Sequence, residues 1–232
     1  MVNTIEPPYN INEVEAQLFK PGPLYKHRFE IVDTIKKNMR SGDILYRYSD
    51  VRGPLGLPFC RLVCRVTKSK YSHAALLFIE NGEPYVLEVN DEGTLQYRLI
   101  DWIDNCYENR FSVYRLKDLD SIAEGILLYN IHKFLDEDPD YDLTFSDPDK
   151  FYCTESVVEI YKRAFGFKLD EGQTLKELLP PWSYYAFRIG LPLFKLFGTS
   201  MPTNSKLYFV GNENIGMMSS PHTYSVNEIY FD

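Results

Sequence analysis

The amino-acid sequence predicts an α+β fold in which an antiparallel sheet packs against helices. The first observation is a hairpin, because two apolar runs, residues 71–80 and 84–90, flank Asn81-Gly82, a dipeptide typical of a tight turn between antiparallel strands. The second is a helix in residues 149–166, where apolar side chains recur at the spacing of one helical face and a glycine marks the stop. Together they predict a sheet with a helix packed on it.

The composition is that of a soluble globular protein with one large domain. The chain has 232 residues, of which 44% are hydrophobic and 25% charged, so it can bury a substantial core. The net charge of -8 argues against a nucleic-acid partner, because binding to phosphate backbones draws on clustered Lys and Arg. The oligomeric state does not follow from these features.

The sequence also bears on where the protein acts. Its first residues lack the basic start and apolar run of a secretory signal peptide, so we expect it to remain in the cytoplasm where it is made. Export by a route that needs no such signal is left open. No run of about 18 apolar residues occurs, so no transmembrane segment is expected. Four cysteines without a disulfide pattern or a C-x-x-C pair favour a reducing compartment.

The N-terminal part of the chain predicts an arm, two helices and a strand. Residues 1–40 are interpreted as an N-terminal arm followed by an amphipathic helix at about 25–39. A glycine turn leads into a short strand at 42–48. Residues 59–66 favour a helix with two cysteines on one face, where core packing explains them better than a metal site without further close ligands.

More strands and helices are predicted after the hairpin. Residues 94–99 and 111–116 alternate in the manner of strands, and 121–135 favour a helix. The side chains predicted to face the core from this helix are apolar and recur at helical spacing: Ile122, Ile126, Tyr129 and Phe134. A short helix at 174–179 and a strand at 205–210 complete the pattern.

Cys153 lies in the first turn of the helix at 149–166, which either Asp147 or Asp149 can cap. Unpaired backbone N–H groups and the positive end of the helix dipole stabilise a thiolate there, the form that attacks carbonyl carbon atoms. The alternative is that Cys153 is a small buried hydrophobic residue, as most cysteines are.

A cysteine hydrolase also needs an imidazole that shuttles a proton and a polar group that orients the imidazole. His73 begins a buried strand and Glu88 lies on the strand beside it, where side chains on one face approach to about 5 Å. The alternatives are a hydrogen-bonded core histidine and a Glu88 bonded to backbone donors.

Four short motifs, in this order, resemble the circularly permuted papain-like hydrolases of the NlpC type, including the YiiX-like group. The motifs are residues 42–45 (Gly-Asp-Ile-Leu), 72–76 (Ser-His-Ala-Ala-Leu), 85–89 (Tyr-Val-Leu-Glu-Val) and 152–157 (Tyr-Cys-Thr-Glu-Ser-Val). The resemblance covers about residues 41–165, and in such proteins the histidine strand precedes the cysteine helix.

The resemblance implies a role for each candidate site residue. It implies Cys153 as nucleophile, His73 as base and Glu88 as the orienting residue. Tyr141, twelve residues before Cys153, would stand on the oxyanion side with the backbone N–H of Cys153, unless it is one more tyrosine of the core. No metal or organic cofactor is implied.

The sequence also suggests how the chain is divided. A papain-like hydrolase domain is expected at 41–210, with an aromatic insertion at about 180–198 and a C-terminal tail at 211–232. Residues 182–197 are interpreted as an element covering the core, with a lid for acyl chains or a membrane surface as the alternative.

The expected activity is that of a cysteine peptidase or amidase that cleaves amide bonds through a thioacyl-enzyme. A cell-wall peptide or a related small amide is the favoured substrate class. One alternative is acyl transfer or ester hydrolysis on lipids, as in proteins similar to lecithin:retinol acyltransferase. Another is a binding module of the same fold without catalytic activity.

Overall fold

The computed structural model describes residues 27–48, 59–104, 110–142, 149–179 and 205–230. The helices and strands within these ranges are α1 (Arg28–Lys36), β1 (Ile44–Arg47), α2 (Phe59–Thr67), β2 (His73–Glu80), β3 (Glu83–Asn90), β4 (Gly93–Arg98), α3 (Leu99–Asp104), β5 (Arg110–Leu116), α4 (Ser121–Glu137), α5 (Cys153–Phe165), α6 (Leu175–Leu178) and β6 (Thr223–Tyr230).

A six-stranded sheet in the order β4-β3-β2-β1-β5-β6 confirms the predicted α+β class. Every neighbouring pair is antiparallel. The hairpin between β2 and β3 turns at Asn81 and Gly82, whose φ angles of 52° and 80° are the positive values that such a tight turn requires. β1 lies between β2 and β5, and its register places Arg47 opposite His73.

Helices cover both faces of the sheet. On one face, Leu76 and Leu87 are buried in a cluster with Ile160 of α5. On the other face, Leu77 is buried in a second cluster with Trp102 of α3. Successive side chains of a strand point to opposite faces, which is why Leu76 and Leu77 belong to different clusters. Full burial of each such side chain contributes about 1.5 to 3 kcal/mol relative to exposure.

The core-facing side of α4 differs from the prediction. Ile122, Ile126 and Tyr129 were expected in the core, yet they are 74%, 39% and 66% exposed. The residues of α4 that are buried follow one stripe: Leu127, Asn130, Ile131 and Phe134. Apolar residues occur around most of this helix, so their spacing alone does not single out one face. Phe134 is buried as predicted, and Asp120 caps the helix by accepting from the N–H of Ala123.

The start of α5 also differs from the prediction. Its N-cap is Tyr152, and no side chain caps it there. Asp149 is exposed and does not occupy the cap, and Asp147 lies outside the described residues. The carboxylate of Glu155 instead accepts a hydrogen bond from the backbone N–H of Tyr152. At the other end, Gly166 adopts the predicted stop conformation with a φ of 78°.

Other predicted segments need correction or lie outside the described residues. Residues 205–210 form no strand, and Leu207 makes an isolated bridge to Gln173. The segment 211–232, expected as a tail, supplies β6, which pairs with β5 at one edge of the sheet. Residues 1–26 of the predicted N-terminal arm and helix, and the aromatic insertion at about 180–198, lie outside the described ranges. None of the helices in those ranges is long and apolar enough to cross a membrane.

Candidate active site

Cys153 is the first residue of α5, so its backbone N–H has no acceptor within the helix. The side chain is partly buried and forms no disulfide. The thiol hydrogen-bonds the imidazole of His73 and accepts from the backbone N–H of Ala74. The nucleophile candidate is thus joined to the start of β2 by two contacts.

His73 reaches Cys153 because of its place at the first position of β2. Its side chain shares a sheet face with Glu88, the face that α3 covers, whereas α5 packs on the other face. At the end of the sheet the imidazole can bridge both faces. Its Nε2 lies 3.1 Å from Oε2 of Glu88. Since Nε2 lies against Glu88, Nδ1 is the nitrogen left to face the sulfur.

The contact between His73 and Glu88 is an ion pair rather than an aligned hydrogen bond. Nε2 is buried, and despite the 3.1 Å separation its N–H does not point at the carboxylate oxygen. Both side chains are almost fully buried, His73 being 7% and Glu88 3% exposed, so water screens their charges little.

Glu88 is held by side-chain donors from three elements. Nη2 of Arg47 on β1 lies 3.1 Å from Oε1 and 2.9 Å from Oε2. Nδ2 of Asn90 donates to Oε1 at 3.1 Å, and the indole N–H of Trp102 donates to Oε2. Glu88 was predicted to need a partner for its buried carboxylate, and these side-chain donors meet that need.

The charges of these groups shift one another's pKa values. Burial by itself would lower the pKa of His73, but the negative charges of Glu88 and Cys153 outweigh it and raise that pKa to about 9. Burial would raise the pKa of Glu88, but Arg47 and His73 hold it well below its usual range. Burial would also raise the pKa of the Cys153 thiol, but the charge and hydrogen bond of His73 lower it.

Each shift favours the charged form of its group, the thiolate of Cys153 and the imidazolium of His73. A thiol with a lowered pKa beside an imidazole with a raised pKa favours the thiolate and imidazolium together at neutral pH. Such a pair holds a nucleophile and a proton donor side by side. The arrangement can attack a carbonyl carbon and protonate the group that leaves it.

Tyr141 lies beside the start of α5. Its backbone forms a parallel bridge with Phe151, two residues before Cys153. Burial, and after it the nearby charge of Cys153, raises the pKa of the Tyr141 phenol far above its usual range. The phenol therefore keeps its proton and can donate a hydrogen bond near the sulfur.

The structure brings together all four predicted residues, Cys153, His73, Glu88 and Tyr141. Arg47, Trp102 and Asn90 also belong to the site but were not predicted from the sequence. Arg47 is a charged residue closing the otherwise apolar β1, a local signal that it needs a buried partner. Which partner it has depends on strand order, which is not a local property.

Comparison with known proteins gives three results. A family model described as permuted papain-like amidase enzyme, YaeF/YiiX, C92 family, matches residues 38–209. The uncharacterized protein YiiX of Escherichia coli (strain K12) is 30% identical over 140 residues, which are 60% of this chain and 65% of that relative. The chain thus spans just under two thirds of that relative's length.

The third result is a solved structure, the crystal structure of metalloprotein yiiX from Escherichia coli O157:H7. It has a TM-score of 0.64 and 25% sequence identity, covering 83% of this chain and 98% of that chain. The description as a metalloprotein applies to that Escherichia coli protein. Among the residues described for the present chain, no group of three or more His, Cys, Asp and Glu side chains is placed to hold a metal ion.

Proposed function

Because this chain belongs to the family of permuted papain-like amidases of the YaeF/YiiX type, we propose that it is a cysteine amidase that works through a thioacyl-enzyme. Cys153 is the nucleophile, His73 carries the proton and Glu88 fixes the orientation and charge of His73. Tyr141 and the backbone N–H of Cys153 stabilise the oxyanion.

One observation carries this proposal. The Cys153 thiol is hydrogen-bonded to His73, whose far nitrogen lies 3.1 Å from Glu88. A buried cysteine that only fills space needs neither a buried imidazole nor a buried carboxylate behind it. Each of these groups costs free energy to bury, so their conjunction supports a chemical role.

In the first step, the thiolate of Cys153 attacks the carbonyl carbon of the amide and a carbon–sulfur bond forms. The electron pair of the C=O bond moves to oxygen, which the Tyr141 hydroxyl and the Cys153 N–H stabilise. The imidazolium of His73 then gives its proton to the amide nitrogen. The carbon–nitrogen bond breaks, the amine leaves, and a thioester remains on Cys153.

In the second step, water resolves the thioester. Neutral His73 takes a proton from a water molecule while the oxygen of that water attacks the carbonyl carbon. The carbon–sulfur bond breaks, the carboxylic acid leaves, and the sulfur departs as the thiolate. His73 is again protonated beside the thiolate, which is the state that began the cycle.

The raised pKa of His73 suits an amide substrate. An amine is a poor leaving group unless it is protonated, so an amide demands an acid that still holds its proton at neutral pH. With a pKa of about 9, His73 meets that demand. An ester has no such requirement, because an alkoxide leaves more readily.

A cell-wall peptide or a related small amide is the substrate class we propose. The family description as amidases supports an amide bond as the bond that is cleaved. The test incubates the protein with peptidoglycan fragments and, in parallel, with phospholipid vesicles, and follows released products by mass spectrometry. Release from the peptide with none from the lipid is the expected result.

Two variants make the test specific to the proposed site. Cys153→Ala should abolish release. It should also lack the added acyl mass that the wild type carries on the peptide containing Cys153. Cys64→Ala is the matched cysteine control, since Cys64 is a partly buried residue of α2. Equal release by Cys153→Ala and the wild type would exclude a thioacyl mechanism, and release from lipid alone would exclude the amide substrate.

A further inference from the structure

The charges of the proposed catalytic groups do not balance by themselves. In the reactive state, Cys153 and Glu88 each carry a negative charge and His73 carries one positive charge. The three groups together thus bring a net charge of -1 into a site where Glu88 is 3% and His73 7% exposed. An uncompensated charge in such surroundings is costly and favours proton uptake by one of the acids.

Arg47 supplies the missing positive charge. It is 5% exposed, and its Nη2 lies 3.1 Å and 2.9 Å from the two oxygens of Glu88. The sheet register sets Arg47 opposite His73, so the two cations approach the same carboxylate from neighbouring strands. From sulfur to guanidinium the charges alternate: negative on Cys153, positive on His73, negative on Glu88 and positive on Arg47.

Trp102 fixes the guanidinium of Arg47 in place. The centre of the guanidinium lies 4.4 Å from the indole ring centre, and Nη1 donates to the backbone carbonyl of Trp102 at 2.9 Å. The indole N–H also donates to Glu88. A planar guanidinium with several donors can make all these contacts at once, which an ammonium group cannot.

We propose that Arg47, held by Trp102, is a positioning residue that neutralises the buried charge of Glu88 and thereby maintains the thiolate of Cys153. This inference rests on the proposed function. Arg47 acts through Glu88 and His73, and its role is to set the charge state of the groups that react. The indole of Trp102 keeps the guanidinium from swinging away from Glu88.

The inference has a consequence for pH dependence. Removing a positive charge makes every nearby acid harder to ionise, so the pKa values of Cys153 and His73 should both rise. The other titratable groups near the site include Tyr97 of β4, Tyr141 and Glu155 of α5. Burial raises the pKa of Glu155 to about 7, and Glu155 is present in the wild type and in both Arg47 variants. Burial, and after it the charge of Glu88, raises the pKa of Tyr97 to about 12, and the pKa of Tyr141 is higher still. Both tyrosines remain neutral below pH 9, so their titration does not contribute to the profile in this range.

The test measures the rate at which iodoacetamide alkylates Cys153 as a function of pH. Mass spectrometry of the Cys153 peptide separates this reaction from alkylation of other cysteines. Arg47→Gln removes the charge and leaves a hydrogen-bond donor for Glu88, while Arg47→Lys keeps the charge and is the matched control. For Arg47→Gln we expect the acid limb to move up by about one pH unit, so that the rate on that limb falls about tenfold. Arg47→Lys should keep the wild-type limb.

The outcomes separate this inference from the proposed function. If wild-type Cys153 reacts like a free cysteine at every pH, the proposed function fails. If wild-type Cys153 is activated and folded Arg47→Gln, checked by circular dichroism, has the same profile, only the role of Arg47 is overturned. Should Arg47→Gln not fold, the alkylation profile of Arg47→Lys decides. An acid limb at the wild-type position supports the role of the charge, and an acid limb moved up by about one pH unit in folded Arg47→Lys would overturn it.

Discussion

The thiol of Cys153 accepts a hydrogen bond from the backbone N–H of Ala74, the residue that follows His73 on β2. The contact fixes the first residue of α5 against the first residues of the histidine strand. Since one neighbour of the sulfur is backbone, the distance between sulfur and imidazole is set by the fold and not only by two side-chain rotamers.

The first prediction concerns the pH profile of amide hydrolysis. We expect a bell-shaped dependence of kcat/KM, with activity lost as pH rises through about 9, because His73 then loses the proton that the leaving amine needs. The acid limb should lie below the usual pKa of a thiol, because His73 stabilises the thiolate of Cys153. An alkaline limb near the ordinary histidine value would contradict the pairing of His73 with Glu88.

The second prediction concerns Glu88→Gln. The variant keeps the shape of the side chain but removes the negative charge that Glu88 places beside His73. The pKa of His73 and the alkaline limb of the profile should therefore both fall. It also leaves Arg47 buried without its counterion, and breaking a buried ion pair in this way costs about 3 to 5 kcal/mol. Urea unfolding and the pH profile measure the two effects. Glu83→Gln, an exposed change on the same strand, should alter neither.

The third prediction concerns Tyr141→Phe. Loss of one oxyanion donor should lower kcat about 100-fold with little change in KM, because the hydrogen bond is needed in the transition state and not for substrate binding. Steady-state kinetics on a peptide amide measures both constants. Tyr129→Phe, a change at a side chain that is 66% exposed, is the control. Unchanged kcat in Tyr141→Phe would make Tyr141 a residue of the core alone.

The fourth prediction concerns stability and Glu155. Burial, opposed by the N–H of Tyr152, raises the pKa of Glu155 to about 7. A carboxyl group whose pKa is raised on folding stabilises the fold fully below its unfolded pKa, and that contribution is lost as pH rises through its folded value. Glu155→Gln keeps an acceptor for Tyr152 and never ionises. Its Tm should therefore exceed that of the wild type at pH 8 and match it near pH 4, as measured by thermal unfolding.

The helix that carries Cys153 and the hairpin that carries His73 and Glu88 could be predicted because their signals are local. The Asn81-Gly82 turn fixes β3 beside β2, and the spacing of apolar residues in α5 marks one face. The four motifs also predicted the family, which the comparison with known proteins confirms. The prediction that the hairpin and the helix meet at one site came from the family resemblance. Neither the turn nor the spacing of apolar residues indicates it.

Other features could not be predicted because they depend on distant parts of the chain. Arg47 faces Glu88 only because β1 inserts between β2 and β5, and no local pattern states that order. The buried face of α4 depends on which of its many apolar residues the sheet selects. In the same way, Thr223–Tyr230 becomes a strand because β5 offers it an edge.

The chain order separates the proposed catalytic groups between two stretches of polypeptide. His73 and Glu88 lie on the neighbouring strands β2 and β3, while Cys153 follows much later at the start of α5. On a nascent chain, the sulfur emerges with no imidazole fixed beside it and has the reactivity of an ordinary thiol. Under the proposed function, its activation requires that the hairpin and the helix have docked, so an unfinished chain carries only an ordinary thiol.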